Sequence, residues 1–234
     1  MLSSSLVIVL SAVAASDRKF AHQRHRLVDR LRERGIQDER VLAAIGRVPR
    51  HELVASAFRE RAYADEALPI GMNQTISQPF TVAYQTSLLG VQPQDRVLEV
   101  GTGSGYQAAV LCELEARVFS VERHERLLQR TRKRLDRLGY KVRTRCGDGS
   151  KGWPAFAPYD AIVVTAAASD IPDPLVEQLR VPDETYPGGR LVIPVGDSSQ
   201  QRMMRLQRTG PTPADVQRET FDTFRFVPLV RSDE

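Results

Sequence analysis

The stretch Val97-Leu98-Glu99-Val100-Gly101-Thr102-Gly103-Ser104-Gly105 constrains this chain more than any other. A short apolar run ends in three glycines at alternate positions, and a helical spacing follows over 106–115. Glycine turns sharply without a Cβ penalty and lets the backbone approach a ligand closely. Strand, glycine turn and helix together open a βαβ crossover. The alternation then repeats, with strands expected over 95–100, 118–122, 141–146, 160–165 and 190–195 and a charged helix over 125–138. This predicts an α/β fold: a doubly wound, mostly parallel, Rossmann-like sheet with helices on both faces. Beyond Met203 the pattern is strand-like without helices and ends in Phe224-Arg225-Phe226-Val227-Pro228-Leu229-Val230, which predicts antiparallel strands closing one edge.

Before this alternation lies a different region. Residues 17–35 are rich in Arg and His, with Leu27, Val28 and Leu31 at helical spacing, and predict an amphipathic helix ended by Gly35. Asp38 is placed to cap a second short helix that stops before Pro49. The 33 Lys+Arg against 29 Asp+Glu leave a charge of +4, too small an excess to argue for a nucleic-acid surface. With 234 residues and 41% hydrophobic content the chain can bury a full core, which excludes disordered and collagen-like classes. Cys112 and Cys146 form no CxxC, and the four histidines show no metal spacing, so no metal site is expected. Residues 6–15 are apolar and of signal-peptide length, with Ala12-Val13-Ala14 resembling a cleavage site. They are too few to span a bilayer.

The chemistry centres on the glycine turn. At a strand's carboxyl end in an open α/β sheet it marks a ligand crevice. Tyr106 stands where a dinucleotide fingerprint needs its third glycine, and GxxxxGK[ST] is absent. Glu99, two residues before the first glycine, is awkward beside a diphosphate but suits an ammonium group. Glu122, 21 residues after Gly101 at the end of the second strand, can accept both ribose hydroxyls. In Gly147-Asp148-Gly149, Asp148 could hold an adenine amino group, or could simply form a turn. Together these features suggest S-adenosylmethionine. Upstream, Ser77 before Gln78-Pro79 reads as a helix N-cap, a role compatible with a second task for its hydroxyl.

Five segments carry a resemblance: YADEALPIGMNQTISQPF (63–80), VLEVGTGSGYQAAVL (97–111), GDGSKGWPAFAPYDAIVVTAAA (147–168), GGRLVIPVG (188–196) and FRFVPLV (224–230). In order and spacing they resemble the protein-L-isoaspartate O-methyltransferase family. The resemblance runs from about residue 24 to residue 230. It implies an S-adenosylmethionine-dependent methyltransferase fold. The implied activity is methyl transfer to the free carboxylate of L-isoaspartyl residues in damaged proteins or peptides, initiating repair through a succinimide and leaving S-adenosylhomocysteine. By motif, Ser77 matches the active-site position. Thr75, Ile76, Glu99, Gly101, Thr102, Gly103, Gly105, Glu122, Asp148 and Gly149 match cofactor contacts. Ser77, Ala166, Ala167, Val227 and Pro228, with Ala168 beside them, match the groove that receives the peptide. Because the acceptor carboxylate is already ionised near neutrality, no metal is implied.

The organisation implied is an apolar tail or signal segment over 1–16 and one methyltransferase domain over 17–234. That domain divides into N-terminal helices and substrate loop (17–94), cofactor core (95–196) and C-terminal strands (197–234). The resemblance further implies a cytoplasmic monomer acting on isoaspartyl proteins and peptides, with no nucleic acid and no stable membrane association. Cleavage of 1–16 would instead imply export to the periplasm. Two other classes stay open. A nicotinamide oxidoreductase would want a glycine at position 106, and a nucleic-acid methyltransferase would want an Asn/Asp-Pro-Pro-Tyr motif, to which Ala157-Pro158-Tyr159-Asp160 is nearest. Two departures from the family pattern stand out. Asn73 replaces a usual second glycine, and residues 180–187 lengthen a connection expected to protrude from the sheet.

Overall fold

A computed structural model describes residues 4–197 and 199–230, with side chains placed from residue 19 onward. Helix α1 (Ser4–Glu33) is longer than its amphipathic pattern, because the helical backbone continues through the apolar segment that precedes it. Leu27 and Leu31 are buried, and Gly35, at φ +97, ends the helix as its spacing predicts. Asp38 caps α2 (Glu39–Arg47) by accepting from the amides of Arg40 and Val41 at 3.0 and 3.2 Å. Among the described residues no helix is long and apolar enough to cross a membrane.

A small hairpin of β1 (Leu68–Gly71) and β2 (Gln74–Ile76) precedes α3 (Pro79–Leu89). Its tip explains Asn73. Met72 and Asn73 both have positive φ, 55 and 56, and Asn tolerates that conformation better than other residues with a side chain. The expected cap does not form. Gln78, not Ser77, holds the N-cap position and contributes no side-chain bond. Asp65 serves from a distance instead, accepting from the Phe80 amide at 2.8 Å.

The main sheet comprises β3 (Arg96–Val100), β4 (Arg117–Glu122), β5 (Val142–Cys146), β6 (Ala161–Val164), β7 (Arg190–Gly196), β8 (Gln201–Arg208) and β9 (Val216–Phe224). Their order is β5-β4-β3-β6-β7-β8-β9; the first five are parallel and the last two antiparallel. Helices α4 (Tyr106–Glu113), α5 (Glu125–Arg137) and the short α6 (Asp173–Glu177) complete the alternation. Because side chains alternate along a strand, Val97 of β3 joins the core beneath the N-terminal helices, whereas Leu98 and Val100 join a second cluster with Tyr159, Leu175 and Ile193. Glu99 therefore points into the first, helix-covered side.

Two expectations are revised. The segment 225–230 is not an edge strand: β9 ends at Phe224, and the chain crosses to form an isolated parallel bridge between Pro228 and Ala167. The 180–187 connection turns Val181, Asp183, Glu184, Thr185 and Pro187 to solvent, but it does not stand free of the sheet. Arg180 pairs with Asp160 and Asp183 at 3.2 and 3.0 Å, and its guanidinium lies 4.0 Å from the centre of the Tyr186 ring. The Tyr186 hydroxyl donates to the Asp160 carbonyl at 3.0 Å, which ties the insertion to the start of β6.

Gly105 shows how tightly the first crossover is packed. At φ +85, a Cβ there would lie 2.9 Å from Thr131 Cγ2 and 3.0 Å from Leu135 Cδ2 on α5. Gly105→Ala is expected to lower unfolding free energy by about 2–4 kcal/mol through overpacking and backbone strain. Gly35→Ala, with nothing within 4 Å of its Cβ, should cost only about 1 kcal/mol of backbone strain. Urea titrations of both variants check the contrast.

Candidate functional site

The sheet order departs in two directions from β3, toward β4 and toward β6, and the crevice opens at the carboxyl ends of these strands. It encloses about 810 Å³ of empty space, part of it open to solvent. Its floor is the glycine turn, held from three sides. The Gly101 amide donates to the Val121 carbonyl at 2.8 Å. The Gly103 amide donates to Glu122 Oε2 at 2.8 Å, and the Gly103 carbonyl accepts from Thr131 Oγ1 at 2.6 Å. Thr165 Oγ1 donates to the carbonyls of Val100 and Gly101 at 3.0 and 2.8 Å. A Cβ on Gly101 would stand 2.4 Å from that hydroxyl oxygen, so the turn requires glycine there for space as well as for its φ of +99.

Two carboxyl groups face this turn in different states. Glu122 lies at the end of β4 with both oxygens anchored, Oε2 by Gly103 and Oε1 by the His124 amide at 2.9 Å. Each oxygen keeps a further lone pair for a ligand. Glu99 is fully buried. Its Oε2 accepts from the Ser120 hydroxyl, which is in turn bonded to Thr102 Oγ1 at 2.6 Å, while Oε1 has no partner. Burial pushes its pKa up to about 8, with the Glu122 charge adding to the rise and the Ser120 hydrogen bond opposing it. Burial thus favours the protonated form of Glu99 at neutral pH, and its unpartnered Oε1 is sealed from solvent beneath the crevice.

The opposite wall comes from the β1–β2 hairpin and the residues after it. Thr75 and Ser77 line the crevice, and both also line a second groove formed with Arg34, Gln78, Phe80, Gln201, Asp222 and residues 223–227. Thr165 and Val227 are likewise shared. These four residues mark where two cavities meet. Among the described residues the Ser77 hydroxyl makes no hydrogen bond, and its carbonyl accepts from Arg50 at 3.0 Å. The C-terminal segment closes the rim: the Ala167 amide donates to Val227 O at 2.8 Å and the Leu229 amide to Ala167 O at 2.7 Å. Arg123 fastens the end by donating to Val230 O at 3.1 Å.

Of the residues singled out from the sequence, Thr75, Ser77, Glu99, Gly101, Thr102, Gly103, Glu122, Gly149, Ala166, Val227 and Pro228 line the crevice. Ile76, Gly105, Asp148, Ala167 and Ala168 do not. Ile76 is a core residue, and Gly105 serves helix packing. Asp148 Oδ1 accepts from the amide and hydroxyl of Ser150, at 2.9 and 2.7 Å, and shapes a turn. The backbone of Ala167 is already paired by the chain's own C-terminal segment. Thr165, Gln107, His124, Leu229 and Val230 also line the crevice and were not singled out from the sequence, although all but His124 lie within the five quoted segments. Thr165 had one available signal, a hydroxyl at the end of the strand beside the glycine turn. Among the described residues no group of three or more His, Cys, Asp or Glu could hold a metal.

Comparison with known proteins gives a consistent result. The family model for protein-L-isoaspartate(D-aspartate) O-methyltransferase (PCMT) matches residues 22–234. A Salinibacter ruber protein named protein-L-isoaspartate O-methyltransferase is 66% identical over 227 residues, covering 96% of this chain and 99% of its own. A solved protein-L-isoaspartate O-methyltransferase superposes with a TM-score of 0.77 at 29% identity, over 88% of this chain and 65% of that one. A beta-aspartate methyltransferase (PCMT) from Plasmodium falciparum, solved in complex with S-adenosyl-L-homocysteine, shares the fold with a TM-score of 0.74. It is 24% identical, over 88% of this chain and 97% of that one.

Glu99 makes the stability of the ligand-free protein pH-dependent. Its folded pKa lies above the unfolded value, so the native state holds a proton that the unfolded chain releases. Stability therefore falls as pH rises from about 4.5 toward 8, by at most about 1.4 kcal/mol per pH unit for one proton. Glu99→Gln, which stays neutral, should remove this part of the slope in urea titrations between pH 5 and 8. An unchanged slope would show that Glu99 is ionised throughout.

Proposed function

The chain belongs to the protein-L-isoaspartate(D-aspartate) O-methyltransferase family, and we propose that it transfers a methyl group from S-adenosylmethionine to the free carboxylate of L-isoaspartyl residues in damaged proteins and peptides. The observation that carries the reading is the meeting of a glycine-floored crevice with a second groove at Thr75, Ser77, Thr165 and Val227. A donor and an acceptor of different chemistry need that arrangement. The proposed place of work is the cytoplasm, supported by the setting of the family and by the free thiols of Cys112 and Cys146.

The residues present fit the donor. The left-handed turn leaves room for close backbone approach at Gly101 and Gly103, and Glu99, directly beneath the crevice, keeps one buried acceptor oxygen, Oε1, without a partner among the described residues. Glu99 would receive the ammonium group, giving up its proton as it does so. Glu122 would hold the ribose hydroxyls with its remaining lone pairs, and Asp148 shapes the turn that presents Gly149 to the crevice. When bound, S-adenosylmethionine supplies a methyl group activated by the positive sulfur.

The acceptor oxygen attacks the methyl carbon, and the carbon–sulfur bond breaks with its electron pair going to sulfur. An anion and a cation become two neutral groups. A carboxylate needs no base for this, so the protein's contribution is alignment and exclusion of water. Ser77 would do the aligning, since it lines both cavities where they meet and its hydroxyl has no partner among the described residues. The methyl ester formed then closes to a succinimide by attack of a backbone nitrogen, releasing methanol.

Labelled donor should methylate a peptide containing L-isoaspartate and leave its normal aspartate twin unlabelled; equal labelling, or none, overturns the reading. Ser77→Ala is expected to lower kcat by about 100-fold, the scale of a lost alignment. The affinity for S-adenosylhomocysteine, measured by calorimetry, should change less than about threefold because no donor contact is assigned to that hydroxyl. Equal losses in both would remove Ser77 from the aligning role.

A further inference from the structure

Arg50 belongs to neither cavity and to none of the motifs above, yet its exposure is 0%. Its guanidinium donates to three carbonyl groups: Nη1 to Ala62, and Nη2 to Glu66 and Ser77, the last two at 3.0 Å. Nε has no partner. The guanidinium carbon lies 5.2 Å from the centre of the Tyr106 ring, the first residue of α4 after the glycine turn. Among the described residues no carboxylate bonds it. The nearby acids are engaged elsewhere, Asp65 with Arg34 and the Phe80 amide, Glu66 with Arg61.

A buried cation without a bonded anion is costly, and an apolar side chain of similar volume is often cheaper in such a place. Arginine alone offers a planar fork of five donors able to hold several carbonyls at fixed angles. The three carbonyls belong to one stretch, 62–77, whose only strands are the four and three residues of β1 and β2. Little regular structure fixes that stretch, and its last carbonyl is that of Ser77. The charge itself is poorly suited to act on the acceptor directly. A guanidinium bonded to the attacking carboxylate would stabilise the reactant anion more than the transition state, in which that charge is being lost.

We propose that Arg50 is a positioning residue for methyl transfer: through the Ala62, Glu66 and Ser77 carbonyls it holds the acceptor-side segment against the donor-side helix, and thereby aims the Ser77 hydroxyl at the junction of the two cavities. This rests on the role given to Ser77 above.

Two variants separate the fork from the charge. Arg50→Lys keeps the cation but cannot span three carbonyls, and Arg50→Gln keeps only an amide donor. In both, kcat on an isoaspartyl peptide, counted per folded molecule, should fall about 30-fold or more, as expected for lost alignment. Binding of S-adenosylhomocysteine should stay within about threefold, because the glycine turn is intact. Amide hydrogen exchange should quicken over 62–78 and not over β3 or β4. Recovery of kcat to within about threefold by Arg50→Lys would overturn the proposal in favour of a charge effect. Unchanged exchange over 62–78, or failure of both variants to fold, would overturn it in favour of a stability role. The exchange comparison needs no substrate. A wild-type protein that leaves isoaspartyl peptides unlabelled would therefore defeat the functional reading without deciding whether Arg50 holds the segment.

Discussion

The bond from the Gly103 amide to Glu122 is the contact on which the site depends. It joins the turn after β3 to the end of β4, and so fixes the floor of the crevice to the acid at that strand end. Thr131 and Thr165 complete the grip from α5 and β6. The turn's left-handed glycines cannot be held by a repeating backbone ladder, so side chains from three neighbouring elements supply the partners that buried backbone groups need. The floor is preorganised before any ligand arrives, which is where a reaction driven by alignment gains most.

Two buried charge-bearing groups flank the junction in complementary ways. Glu99 is pushed toward its neutral form by burial and has one acceptor oxygen left without a partner beneath the crevice. Arg50 remains a cation whose Nη1 and Nη2 donate to three main-chain carbonyls, while its Nε has no partner. One group lies beneath the floor of the crevice, and the other gathers the segment that carries Ser77. Neither is a favourable use of buried polar atoms for stability alone, and both adjoin the place where two cavities share a wall.

Much of this was visible in local patterns. The βαβ order, the glycine turn, the acid at Glu122 and the cap at Asp38 each follow from a few adjacent residues, and the structure places them as expected. The failures were also local in origin. Ser77 had the right neighbours for an N-cap, but Asp65, fifteen positions before the amide it serves, took the task. The FRFVPLV segment has strand-like composition, but Ala167 offered it a pairing partner above the sheet rather than at the edge. Gly105 and Asp148 match ligand contacts by motif and also carry structural tasks that the motif does not reveal: a Cβ at Gly105 would meet α5, and Asp148 accepts from Ser150.

The amino-acid order by itself determined the alternating α/β topology and the position of the glycine turn at the end of β3. It also determined the spacing that brings an acid to the neighbouring strand end, because hydrophobic period and backbone preference are properties of a few consecutive residues. Tertiary structure alone decided that Glu99 is sealed beneath α4, that Arg50 gathers carbonyls from 62–77, that Thr165 pins the turn and that Arg123 holds a carbonyl 107 positions away. Desolvation and the pairing of polar atoms depend on what surrounds a group in space, and that neighbourhood exists only once the crossovers have brought distant segments together.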